Sequence, residues 1–203
     1  LVFFLLVCGI SYASASFADT QLAWIVAAPG NQGQIESGVS YWLKVAKNGW
    51  HLTYKERSTG INLGWGKTPS PNIKIEKSGG GKINCGDKVA LRVDGGGYLR
   101  YEKRKYGINI VWSKEPVYEW ELRNEENKQG TPVNTDVKIV VFNGVEEDFM
   151  EYCERPGLPV VNLGWARDCQ DGWRAPGITN QSREWVPYIN DAIKYGRPLG
   201  GLL

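Results

Sequence analysis

The stretch Gly60-Ile61-Asn62-Leu63-Gly64-Trp65 occurs three times along the chain in related form. It returns as Gly107-Ile108-Asn109-Ile110-Val111-Trp112 and again as Val160-Val161-Asn162-Leu163-Gly164-Trp165. In each copy, aliphatic residues and a tryptophan occupy every second position. This period of two is typical of a strand with one buried face. The recurrence predicts that three similar units make up most of the chain.

Three further strand signals flank each copy of the hexapeptide, always in the same order. An alternating apolar strand comes first, then a turn with a second strand, and a fourth apolar strand follows the hexapeptide. The first strands are marked by Tyr41, Leu43 and Val45, by Val89, Leu91 and Val93, and by Val137, Ile139 and Val141; the second strands lie at residues 51–54, 98–101 and 149–152; the fourth are marked by Ile73 and Ile75, by Trp120 and Leu122, and by Trp173 and Ala175.

Three four-strand units predict an all-β fold, a β-trefoil over residues 39–175 with repeats at about 39–84, 85–132 and 133–175. A β-propeller is disfavoured because propellers typically need at least four blades. The pattern resembles the β-trefoil superfamily, and its rhythm is similar to fascin-like and ricin-B-like trefoils. The ricin-type motif Gln-x-Trp is replaced by Leu63-Gly64-Trp65 and its equivalents. The resemblance therefore implies the fold without the galactose-binding roles.

Residues 1–15 predict a secretory signal peptide that is incomplete at its start. The apolar run of residues 1–10 has the length of a signal h-region, and Ala13-Ser14-Ala15 matches a cleavage site. The alternative is a buried N-terminal strand or helix. Residues 16–38 are expected to be an N-terminal extension. Residues 176–203 are expected to form a tail with a short amphipathic helix, because Trp185, Tyr188 and Ile189 begin an apolar stripe of helical spacing. We expect a secreted, extracellular protein without a membrane span.

The mature chain is expected to keep Cys85, Cys153 and Cys169, an odd number for an oxidising compartment. Cys153 and Cys169 belong to the same repeat and are the preferred disulfide pair. Cys85 is then either free or paired with a second chain. Asn180 begins an Asn-Gln-Ser sequon and is a candidate glycosylation site in a eukaryotic host.

Composition and charge argue against several classes of function. Basic and acidic residues nearly balance at 24 and 22, which disfavours a nucleic-acid surface. The single histidine, His51, occupies a strand position that the other repeats fill with Tyr98 and Phe149. No nucleophile–histidine arrangement or metal-ligand spacing is evident. We therefore expect a protein that is not an enzyme and that uses no metal and no cofactor.

The hexapeptide divides into two faces with different expected roles. Trp65, Trp112 and Trp165 lie on the apolar face and are predicted to be structural core. Asn62, Asn109 and Asn162 lie on the opposite face, where they either hydrogen-bond a neighbouring loop or line three shallow sugar pockets. The aromatic rings expected beside such pockets are those of Trp50 and Tyr98.

These features favour lectin-like carbohydrate recognition, with glycans bound weakly at three equivalent sites. The alternative is an extracellular protein as partner, with the chain acting as a hydrolase inhibitor or a matrix component. Its contacts would come from the C-terminal helix and from the asymmetric loops of the third repeat, which contain Glu146-Glu147-Asp148. The oligomeric state is left open.

Overall fold

The computed structural model describes residues 23–28, 30, 32–58, 60–68, 70–104, 108–154 and 161–166. These residues form twelve short strands in antiparallel pairs, as the alternating apolar patterns predict. The strands are β1 Trp24–Ala27, β2 Ser40–Val45, β3 His51–Tyr54, β4 Leu63–Gly66, β5 Ile73–Lys77, β6 Val89–Val93, β7 Gly97–Tyr101, β8 Ile110–Ser113, β9 Trp120–Asn124, β10 Lys138–Asn143, β11 Asp148–Tyr152 and β12 Leu163–Trp165.

Six of the strands close into an antiparallel barrel. Their order around the ring is β1, β2, β5, β6, β9 and β10, and β10 pairs with β1 to complete it. The other six strands form the hairpins β3–β4, β7–β8 and β11–β12, which are attached to β2, β6 and β10. Because the barrel strands are bonded on both sides, the ring has no open edge.

The predicted β-trefoil of three four-strand repeats is wrong. The first two repeats contribute four strands each, β2–β5 and β6–β9, but the described part of the third contributes only β10–β12. The strand that closes the ring is β1, which lies within the segment expected to be an N-terminal extension. Trp24 pairs with Val45 on one side and Ile139 on the other. The architecture is therefore a closed six-strand barrel with six further strands.

A side chain ties each hairpin to the barrel. The Nε1 of Trp24 donates a hydrogen bond to the carbonyl of Met150 at 2.8 Å, and the Nε1 of Trp120 donates to Leu99 at 2.8 Å. Asn72 does the same for the remaining hairpin, with Nδ2 3.1 Å from the carbonyl oxygen of Leu52. A tryptophan of β1 therefore makes the same hydrogen bond to the third hairpin that a tryptophan of β9 makes to the second.

Three buried aliphatic residues, Ile35, Ile83 and Val133, fill one end of the barrel. Their backbones form a cyclic set of hydrogen bonds: Ile83 donates to Ile35 at 2.8 Å, Ile35 to Val133 at 2.9 Å, and Val133 to Ile83 at 3.1 Å. The three loops that carry them satisfy one another's backbone groups, which buried loops require.

Tyrosine–tryptophan pairs connect neighbouring repeats at the hairpin level. Each joins the second strand of one repeat to the hexapeptide tryptophan of another. Trp165 is fully buried, whereas Trp65 and Trp112 are partly exposed and pack against the core. All three tryptophans predicted to be core thus contact it, two of them at its margin. The ring centroids are 6.2 Å apart for Tyr54–Trp112, 6.0 Å for Tyr101–Trp165 and 5.0 Å for Tyr152–Trp65.

Several predictions fall on residues outside the described part of the chain. These are the signal peptide, the strand at Trp173, the C-terminal helix, and the sequon at Asn180. Cys169 also lies there, so its pairing with Cys153 stays a prediction. Cys85 is a free, buried thiol. Within the described ranges, no helix has the length and apolar character to cross a membrane.

Candidate functional site

Two of the three repeated asparagines hold loops of their own repeat. The backbone N–H of Arg57 donates to Oδ1 of Asn62 at 3.1 Å, and that of Arg104 donates to Oδ1 of Asn109 at 2.9 Å. Each arginine also donates from Nη1 to the carbonyl after the asparagine, at 3.3 Å in both cases. This matched arrangement corresponds to the loop-stabilising role weighed in the sequence analysis. The amide oxygens of Asn62 and Asn109 therefore already accept hydrogen bonds within the protein.

The aromatic rings expected beside the asparagines lie elsewhere. Trp50 and Asn62 flank opposite ends of the β3–β4 ladder, whose pairs run from His51–Gly66 to Tyr54–Leu63. Five residue steps along the extended strands separate them by roughly 16 Å. On β7–β8, Tyr98 pairs with Ser113, which lies four residue steps, or roughly 13 Å, along the strand from Asn109. The structure therefore does not assemble the expected pocket of asparagine and aromatic ring.

The backbone carbonyl of Asn162, the third repeated asparagine, accepts a hydrogen bond from the N–H of Cys153 at 3.2 Å. The residue that corresponds to Arg57 and Arg104 in this repeat is Arg155, which lies outside the described residues.

The three junctions where a hairpin joins a barrel strand differ in how open they are to solvent. At each junction a residue of the barrel strand pairs with the first or second residue of the hairpin, and both side chains point outward. The pairs are Lys44 with His51, Arg92 with Tyr98, and Phe142 with Phe149.

Two of the three junctions are closed to solvent. The His51 side chain is only 4% exposed, and burial lowers its pKa. A methyl group added to Gly66 would lie 2.4 Å from the imidazole, so this glycine makes room for the ring. In the third junction, Phe149 is fully buried, and the guanidinium of Arg123 lies 4.0 Å from the Phe142 ring centroid.

The second junction is open. Tyr98 is half-buried, and its hydroxyl donates to Oε2 of Glu76 at 2.8 Å. The guanidinium of the exposed Arg92 lies 5.9 Å from the ring centroid. Burial raises the pKa of Tyr98, as do Glu76 and the phenol of Tyr118, so the hydroxyl stays protonated and able to donate. We name the group of Glu76, Arg92, Tyr98 and Tyr118 the Tyr98 site.

Trp50, the other aromatic residue expected to contact a ligand, lies at the end of the first hairpin. Its half-buried ring faces the Nζ of Lys67, 5.1 Å from the centroid. Its backbone N–H donates to Oδ1 of Asn48 at 2.9 Å. The Tyr98 site, where a carboxylate and a guanidinium flank the ring, offers the fuller set of groups.

Sequence reasoning found Tyr98 but missed Glu76, Arg92 and Tyr118. Glu76 and Arg92 lie on β5 and β6, and the register of these strands with β7 brings them to Tyr98, whereas Tyr118 belongs to the segment before β9. A usable signal was present, because Glu76 and Arg92 are outward positions on strands whose inward residues are aliphatic.

Comparisons with known proteins identify no relative of this chain, since no family model, no curated protein and no solved structure matches it.

Proposed function

We propose that this chain is a secreted, non-enzymatic protein that binds carbohydrate at the Tyr98 site. A sugar presents apolar C–H faces together with hydroxyl groups, so its sites combine an aromatic ring with charged or amide groups. The Tyr98 site brings together the phenol ring of Tyr98, the carboxylate of Glu76 and the guanidinium of Arg92.

The observation that carries the proposal is the difference between the three junctions. Burial and neighbouring side chains close the junctions of His51 and Phe149, whereas the equivalent ring of Tyr98 remains accessible. Recognition at three equivalent asparagines is less favoured, because Asn62 and Asn109 use their amide oxygens to hold loops. We therefore expect one principal glycan site on each chain.

A glycan array probed with the mature protein tests this proposal. We expect binding to a restricted set of glycans and a loss of about tenfold or more in Tyr98→Ala, since an aromatic contact contributes roughly 1.5 kcal/mol. Tyr98→Phe keeps the ring and should retain part of the binding. Val145→Ala, which removes an exposed apolar side chain in the third repeat, is the matched control and should bind normally.

Binding that is equally strong in wild type and Tyr98→Ala would contradict the assigned site. The absence of any glycan signal for the folded wild-type protein would contradict the proposed function itself.

A second candidate, binding to an extracellular protein, is favoured by the β10–β11 loop. Val145 is 59% exposed at the tip of this loop, where its side chain is accessible to a partner. Both its N–H and that of Glu146 donate to Oδ1 of Asn143 at 2.9 Å. Asp148 is fully buried at the start of β11, so the contacts expected of it with a partner are not available.

A further inference from the structure

Tyr98 belongs to a row of outward side chains that crosses several strands. Residues paired directly across antiparallel strands point to the same face of the sheet. Five strands spaced about 4.8 Å apart give a row of roughly 19 Å. The pairs place the following residues side by side, in order from β2 to β8: Ser40, Lys74, Arg92, Tyr98 and Ser113.

The centre of the row carries two positive charges next to each other. Lys74 and Arg92 are direct cross-strand partners, an arrangement that is unfavourable for like charges. In the described ranges, neither side chain forms an ion pair, whereas Lys47, Lys77, Lys88 and Arg100 each do.

Glu76 does not neutralise this pair by direct contact. Its Oε2 accepts the hydrogen bond of the Tyr98 hydroxyl, and its backbone partner on β6 is Ala90. Arg92 is exposed and Lys74 is half-buried. Two cations that repel each other on an exposed sheet face are stabilised when an anionic ligand lies across both.

We infer that the glycan bound at the Tyr98 site is an acidic one, a linear chain of carboxylated or sulfated sugars that runs along the row. This inference rests on the proposed function. The guanidinium of Arg92 supplies paired donors that suit a carboxylate or sulfate, and Lys74 supplies a second positive charge. The neighbouring Tyr98 ring packs against the sugar, while the serine hydroxyls at the two ends lie within the reach of a short oligosaccharide. Ser113 also hydrogen-bonds within its own turn, to the carbonyl of Glu115 at 2.7 Å.

The test compares binding of the mature protein to immobilised heparin, polygalacturonate and neutral dextran. We expect binding to one or both acidic polymers and not to dextran, with weaker binding as salt screens the charges. Lys74→Gln combined with Arg92→Gln should weaken binding about tenfold or more, since both charged contacts with the acidic groups would be lost. Lys47→Gln combined with Lys82→Gln removes two exposed cations elsewhere and should leave binding almost unchanged.

Thermal unfolding will establish whether each variant is folded. Removing the repulsion between Lys74 and Arg92 should not lower the stability of the double variant. Tyr98-dependent binding to neutral glycans alone would overturn this inference while leaving the proposed function in place. Equal losses in the two double variants would also overturn it, since the attraction would then be general. Duplex DNA that competes as well as the acidic glycan, at the same concentration of charge, would likewise overturn this inference. No binding to any glycan would overturn both proposals.

Discussion

Trp24→Ala is expected to lower the free energy of unfolding by about 3–5 kcal/mol, the range for truncating a buried aromatic residue. The side chain is fully buried, stacks on Trp65 with 6.0 Å between ring centroids, and donates from Nε1 to the carbonyl of Met150. Its removal would leave a cavity at the strand that closes the barrel, together with a buried carbonyl that has lost a donor. Chemical denaturation followed by fluorescence measures the change.

Trp50→Ala is the matched control, because Trp50 is half-buried at the end of a hairpin. Its expected cost is about 1 kcal/mol, typical of a substitution outside the core. Similar costs for the two variants would contradict the position of β1 within the ring. The prediction thereby distinguishes a barrel strand from an N-terminal extension that is dispensable for folding.

Asn143→Ala is expected to lower the free energy of unfolding by about 2–4 kcal/mol, because it breaks several hydrogen bonds of a fully buried amide. The Oδ1 of Asn143 accepts from the N–H groups of Val145 and Glu146, and its Nδ2 donates to Oε1 of Glu119 at 3.0 Å. The same carboxylate also accepts from the N–H of Tyr101. The variant would therefore leave a largely buried charge with fewer donors.

The matched control for that variant is Asn134→Ala, which removes an exposed amide from the loop before β10. A cost within about 0.5 kcal/mol of zero is expected there, as for most surface substitutions. Hydrogen exchange gives a second measure, since the amides of Val145 and Glu146 should lose protection in Asn143→Ala alone. Unchanged protection would show that the loop is held by other contacts.

The repeated strands could be predicted because their buried faces leave a period of two in the sequence. Tyr41, Leu43 and Val45 all point into the barrel, as expected. Val137 shows the limit of the pattern, since it lies before β10 and is 42% exposed. Alternation identifies a strand more reliably than it identifies the strand's ends.

The fold prediction was wrong because the first repeat was taken to begin at residue 39, which left β1 outside it. The segments around Ile35, Ile83 and Val133 also recur, but each is too short to show a period, and their pairing is a matter of backbone hydrogen bonds. Had these segments been recognised, the first repeat would have begun earlier and Trp24 would have been a candidate barrel residue. The partner that closes a barrel depends on long-range pairing, which local sequence does not encode.

The candidate site was predictable only in part, for a similar reason. Tyr98 was singled out as an aromatic residue, but its partners Glu76 and Arg92 become neighbours only through the register of β5, β6 and β7. The asparagines were noticed because they repeat. Their repetition reflects a shared structural task, since Asn62 and Asn109 make the same contact with the arginine of their own loop.

The central claim is that the Tyr98 site binds glycan, and an NMR titration of the isotopically labelled protein with a heparin hexasaccharide tests it most directly. We predict that the largest backbone shift changes will occur at Lys74, Arg92 and Tyr98, and that Tyr98→Ala will need about tenfold more hexasaccharide to produce those at Lys74 and Arg92. Changes centred instead on Asn62 and Asn109, or on Val145, would contradict the assignment in favour of the asparagines or of the β10–β11 loop. A spectrum left unchanged by the hexasaccharide and by every glycan positive on the array would contradict the claim altogether.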